Sequence, residues 1–348
     1  MEPTEITSES SPDDPAIESS PNMNRRFGLL GLALVGFALV GSMVQTASDP
    51  LPPDLEMRMR DFKALGDDVE VLFVGSSITL FGVAPEQVEA SSGLGAFNLG
   101  IYAAHGHVVN QVLRYAMQAK SDGLKYVVIE LVPWGCGAIQ VPAVNPETYW
   151  WHTPSETVGA LNSMRMDACS PTLVGYHLKA AFIRATGLGL ANHKRQPPER
   201  ETYIRGWAAL VAGDEYFDVT DNRRFFKGNP RGYASQVKML RTAYDYVADT
   251  SGYNLGALRK QKAYVESFGV EVIYMIPPSL DSFVVERQLE RTGTISPVMN
   301  FNRPWIYPEV FESSSRFDFR HLNERGAILF GEILGREIAE YDGAKTTK

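Results

Sequence analysis

The sequence predicts an α/β fold: a three-layer α/β/α arrangement on a doubly wound parallel sheet, flavodoxin-like, with a large insertion after the third strand. Three observations predict it. Short β-branched, apolar runs recur along the chain, as strands buried on both faces should read. Segments with helical spacing lie between them. The runs end in small-residue or proline turns: Gly75-Ser76-Ser77, Gly100, Pro133 and Pro277-Pro278.

The chain has 348 residues, 44% hydrophobic and 21% charged, enough for a sizeable core. A net charge of -8 argues against a nucleic-acid partner, which would call for a basic face. Cys136 and Cys169 make neither a disulfide framework nor a zinc site, and pairing on export or a free buried pair are both open. His105-x-His107 has no third ligand nearby in sequence, so no metal is expected, and no cofactor motif is present.

The N-terminal region has its own organisation. Residues 1–26 read as a disordered cytoplasmic tail, acidic and rich in Ser and Pro up to Asn22 and ending in Arg25-Arg26. Residues 27–44 carry no charge and have a membrane-spanning composition. Gly28, Gly31, Gly36 and Gly41 would weaken a soluble helix there, whereas membrane helices tolerate them. The arginine pair on the N-terminal side keeps that end in the cytoplasm and exports the rest. An uncleaved anchor in the lipid bilayer is favoured over a signal peptide starting at Met23, because the small-residue cleavage site is poor. Residues 45–65 then read as a spacer, stiffened by Pro50, Pro52 and Pro53.

The main domain is expected over 66–348. Val69–Val74 is the first strand, followed by a loop and by a helix opened by Pro85. Ala96–Gly100 is the second strand, 108–118 a helix and Tyr126–Leu131 the third strand. About 133–232 breaks the pattern and reads as an insertion over the top of the sheet, with a helical segment at 171–185. Helices follow at about 235–248 and 254–268, the second stopped by Gly269. Val270–Ile276 is the fourth strand, 281–291 a helix and 298–302 a fifth strand. Glu324–Tyr341 is an amphipathic final helix with Asn323 as N-cap.

Two clusters carry chemistry. Ser77 stands at the carboxyl end of the first strand, where open α/β sheets bind ligands. Near the C-terminus, Asp318 and His321 are three residues apart in a loop, a spacing that lets a carboxylate orient an imidazole. Trp134, Tyr149, Trp150 and Trp151 are either sugar-stacking or core aromatics. The basic stretch from Asn192 to Arg205 is either a solvated loop or a contact for an anionic polymer or headgroup.

Taken together, Gly75-Ser76-Ser77, Asn98-Leu99-Gly100 and Asp318-Phe319-Arg320-His321-Leu322-Asn323 resemble, in order and position, the motifs of the SGNH (GDSL-type) hydrolase family. The resemblance covers roughly 69–341, without the insertion. It implies the SGNH hydrolase fold, with Ser77 as nucleophile, His321 as general base and Asp318 as its orienting partner. It further implies backbone oxyanion donors at Ser77 and at Ala103, which stands where the family has glycine. Trp134 stands where the family's third motif has asparagine. Asn98, Gly100, Trp134 and His105 are the remaining oxyanion or pocket candidates. The chain looks most like membrane-anchored esterases and O-acyltransferases, whose partner is an acylated extracytoplasmic polysaccharide or cell-envelope polymer. A catalytically degenerate glycan-binding member is the alternative.

Overall fold

A computed structural model describes residues 53–102, 104, 106–119, 122–132, 151–152, 157–158, 161, 171–186, 203–210, 219–250, 253–281 and 283–346. The expected tail, the apolar span 27–44 and both cysteines lie outside these residues. Among the described residues no helix is long and apolar enough to cross a membrane.

The protein is α/β, with five parallel strands among the described residues: β1 (Val71–Val74), β2 (Ala96–Asn98), β3 (Tyr126–Glu130), β4 (Glu271–Ile276) and β5 (Val298–Asn300). Their order is β2-β1-β3-β4-β5. Chain direction across the sheet reverses at β1, so the crevice between the carboxyl ends of β1 and β3 is the switch point where such sheets bind ligands.

Strand side chains alternate between two cores. Leu72 and Val74, Val127 and Ile129, and Val272, Tyr274 and Ile276 point to one face. Val71 and Phe73, Tyr126 and Val128, and Ile273 and Met275 point to the other. Both faces are dry because helices cover both, which is why the strands read as unbroken apolar runs. The first face is covered by α1 (Pro53–Ala64), α4 (Gly106–Ala119) and α8 (Leu255–Glu266). The second is covered by α3 (Pro85–Ser92) and α10 (Glu324–Thr346). The remaining described helices are α2 (Ser77–Gly82), α5 (Pro171–Thr186), α6 (Val219–Gly228), α7 (Pro230–Ala243) and α9 (Val284–Arg291).

Local chemistry fixes several boundaries. Pro85 opens α3, and Gly93 ends it at φ 75° in the left-handed region. Asn229 and Asn254 cap α7 and α8, each accepting an N–H three residues on. The Asn229 cap and Pro230 start α7 earlier than the periodicity suggested.

Two expectations are corrected. The spacer does not reach residue 65: from Pro53 the chain is helical, with Leu55, Met59 and Phe62 buried in the core. These lie at i, i+4 and i+7, one face of a helix. The loop expected after β1 is instead α2, which begins at the serine itself.

The insertion returns to the sheet at 203–210. The Arg205 carbonyl accepts the Asn98 N–H at 3.0 Å, and Ala208 N–H donates to the Leu80 carbonyl at 3.3 Å. Trp207 Nε1 donates to the Phe81 carbonyl at 2.9 Å. Earlier in the insertion, His152 and His177 bond through their rings at 2.8 Å and cluster with His107 of α4, all three buried.

Candidate active site

Ser77 is the first residue of α2, directly beyond the carboxyl end of β1. Two glycines allow the turn to be this tight. A Cβ on Gly75 would lie 2.2 Å from Thr79 Oγ1 and 2.4 Å from Glu130 Oε2. A Cβ on Gly100 would lie 2.4 Å from the Leu80 nitrogen. Between them, β1 turns into α2 with the exit of β2 pressed against it; Ile101 N–H donates to the Gly75 carbonyl at 2.9 Å.

The donors of the turn are almost all committed. Glu130, the last residue of β3, accepts Ser76 N–H at 2.8 Å and Ser76 Oγ–H at 2.6 Å. It also accepts Thr79 N–H at 3.2 Å and Thr79 Oγ1–H at 2.6 Å. Ser76 Oγ caps the helix by accepting Ile78 N–H at 3.2 Å. Burial pushes the Glu130 carboxyl above its ordinary pKa of 4.5, and the bonds from Ser76 and Thr79 oppose that rise without cancelling it.

The base arrives from the other side. The loop before α10 folds back on itself, with Phe317 N–H donating to the His321 carbonyl at 2.9 Å. Arg316, buried at 2% exposure, holds the loop from inside. Its guanidinium donates to the carbonyls of Pro278 (2.8 Å), Phe319 (3.2 Å) and Arg320 (2.8 Å). Burial lowers its pKa, and the nearby Tyr233, Asp318 and Asp281 counter that in part. Asn323 caps α10 as expected, accepting Gly326 N–H at 2.9 Å. It also donates to the Ser314 and Arg316 carbonyls.

The structure brings Ser77, His321 and Asp318 into one hydrogen-bonded chain. Ser77 Oγ lies 2.9 Å from His321 Nε2. His321 Nδ1 lies 2.9 Å and 3.1 Å from the two Asp318 oxygens. Asp318 Oδ1 also accepts the N–H groups of Arg320 and His321, each at 2.7 Å. Burial alone would raise the Asp318 pKa. The His321 ring, its charge and the two N–H bonds outweigh it and hold the carboxyl below its ordinary 3.8. An ionised Asp318 directs the Nδ1 proton toward itself and leaves the Nε2 lone pair for the serine. Phe81 meets the His321 ring edge-on at 5.6 Å and limits its rotation.

The other predicted residues divide sharply. Asn98 does not reach the site as an oxyanion donor. Its Nδ2 donates to the carbonyls of Thr79 and Val83, each at 2.8 Å, and its Oδ1 accepts Gly100 N–H at 2.8 Å. Gly100 is likewise committed: its N–H goes to Asn98, and its carbonyl accepts from buried Arg58 at 2.7 Å. Trp151 is core, its carbonyl bonded by Gln111. Arg205 pairs with Glu89 at 2.8 Å, so it is not an open anion contact. Ala103, His105, Trp134, Tyr149 and Trp150 lie outside the described residues. Among the described residues no group of three His, Cys, Asp or Glu side chains is arranged to hold a metal ion.

Glu130, Arg58 and Arg316 were not found from sequence. For Glu130 a signal existed: a lone carboxylate inside an apolar strand run must find partners if buried.

No family model matches the chain, and no curated protein matches it.

Proposed function

We propose that the protein is a serine esterase or O-acyltransferase of the SGNH type, anchored through residues 27–44 and acting on acyl esters of an extracytoplasmic polysaccharide or cell-envelope polymer. One observation carries the chemistry: the chain from Ser77 Oγ through His321 to Asp318, with 2.9 Å at each link. The substrate class rests on the resemblance of the three motifs and on the exporting apolar span.

Ser77 Oγ attacks the acyl carbonyl carbon as His321 Nε2 takes its proton. The Ser77 N–H, at the head of α2, has no acceptor among the described residues and supplies a donor to the oxyanion. Asp318 stabilises the imidazolium through Nδ1. The tetrahedral adduct expels the alkoxide, which receives the proton from Nε2, leaving an acyl-serine. Water or a sugar hydroxyl then attacks the acyl carbon and gives its proton to Nε2. Collapse returns that proton to Ser77 Oγ and releases an acid or a new ester.

The test is direct. Full-length protein in detergent should hydrolyse aryl acetates and become phosphonylated at Ser77 by a serine-reactive phosphonate, and Ser77→Ala should do neither. A wild-type protein inert in both assays, yet able to bind acylated glycan, would establish the non-catalytic alternative instead.

A further inference from the structure

We infer that Glu130 is the positioning residue of the nucleophile turn, an inference that rests on the serine-nucleophile reading above. The argument is an inventory of donors. Residues 76–80 carry five consecutive backbone N–H groups at the start of a helix, where no intrahelical carbonyl is available to the first of them. Ser76 N–H and Thr79 N–H go to Glu130. Ile78 N–H goes to Ser76 Oγ, and Leu80 N–H to the Ser76 carbonyl. Of these five, Ser77 N–H alone has no acceptor among the described residues. Glu130 and the hydroxyl it holds thus absorb the neighbouring donors and leave a single N–H beside the nucleophilic oxygen.

The same carboxyl fixes where that oxygen points. It grips the turn on both sides of Ser77, by the N–H and hydroxyl of Ser76 and by those of Thr79. Ser77 therefore cannot rotate about the helix start without breaking four bonds to a buried carboxyl. Glycine at 75 is the counterpart, because any Cβ there would occupy the space Glu130 fills. Glu130 comes from β3, the strand hydrogen-bonded to β1, so the distance it spans is set by the sheet. It touches no reacting atom. Its effect is exerted through Ser77.

Bond geometry separates a positioning role from a generic buried charge. Glu130→Gln has the same length and can keep its oxygen on Ser76 N–H and Thr79, while its amide faces Ser76 Oγ, which can accept. Glu130→Asp keeps the acid but falls short by one C–C bond of about 1.5 Å, too far to hold all four donors. Glu130→Ala removes the acceptor.

The readouts are phosphonylation rate at Ser77 on full-length protein, and kcat and KM for an aryl acetate. Glu130→Gln should stay within about fivefold of wild type, whereas Asp and Ala should slow phosphonylation and lower kcat about tenfold to a hundredfold, on the scale of a misdirected oxyanion donor. KM should move less than about threefold, since only transition-state contacts are disturbed. Should Ala fail to fold, the Asp and Gln pair still decides. If Asp labels as fast as Gln and wild type, Glu130 has no positioning role and the serine reading stands. If wild type itself is neither labelled nor active, both fall.

Discussion

Ser77 sits on a turn whose N–H and O–H groups converge on one buried carboxyl, while His321 sits on a loop whose carbonyls converge on one buried guanidinium. The difference follows from backbone geometry. A helix start presents unsatisfied donors and needs an acceptor. A loop folded back on itself presents carbonyls and needs a donor. Burial makes either interior group costly alone and stable only with its partners in place. The two also differ in reach. Arg316 serves carbonyls three and four residues away, with Pro278 as its distant partner, so the base loop is largely braced by its own sequence. Glu130 is 54 residues from Ser76, so the nucleophile turn exists only once β1 and β3 have paired.

The largest effect should come from breaking the chain that joins the two regions. Ser77→Ala or His321→Ala should lower kcat on an aryl ester by more than about 10⁴-fold, with urea unfolding of Ser77→Ala close to that of wild type.

Next come the two braces. Arg316→Met keeps most of the volume but strips the donors from three carbonyls, that of Pro278 buried and those of Phe319 and Arg320 partly so. It should cost about 3 kcal/mol or more in urea unfolding and slow phosphonylation of Ser77 through a loosened His321. Glu130→Ala should cost a similar amount but leave the His321–Asp318 bond intact, visible as a retained downfield Nδ1–H proton resonance. Loss of that resonance in both variants would mean that the two regions are not braced independently.

Opposite pH slopes sharpen the contrast. The Asp318 carboxyl is held below 3.8, so its stabilisation is present above that pH and is lost as pH falls through the lower folded value. The Glu130 carboxyl is held above 4.5, so its contribution is present below 4.5 and is lost as pH rises through the higher folded value. Wild type should therefore lose stability relative to Glu130→Gln as pH rises from 4.5 toward neutrality. Its advantage over Asp318→Asn should shrink only on acidification below about 4. Parallel curves for the two variants would contradict the assignment. The smallest effect is expected away from both regions: Asn254→Ala, at the α8 cap, should cost about 1 kcal/mol and leave phosphonylation unchanged.

The reach of each contact also explains what was legible in the sequence. The strands could be read because their apolar runs are local, and the Asp318–His321 pair because both partners lie in one loop. Asn323 could be read as a cap from its place before Glu324. Asn98 could not be assigned correctly, because its acceptors Thr79 and Val83 lie on another element. The partners of Glu130 could not be read for the same reason, although a lone carboxylate in an apolar strand signalled that it has some. Leu55, Met59 and Phe62 carried a helical spacing, but the prolines just before them dominated the reading as spacer.

Arg205 has one more consequence. β2 is an outermost strand, and its outward-facing groups at Ala96 and Asn98 are both occupied by this residue: its carbonyl accepts from Asn98 and its guanidinium reaches the Ala96 carbonyl. An uncovered strand border is a template for a strand of another molecule, the usual route to aggregation. The returning segment thus covers part of that border. Shortening it should show first as precipitation at high protein concentration, before any loss of the fold beneath.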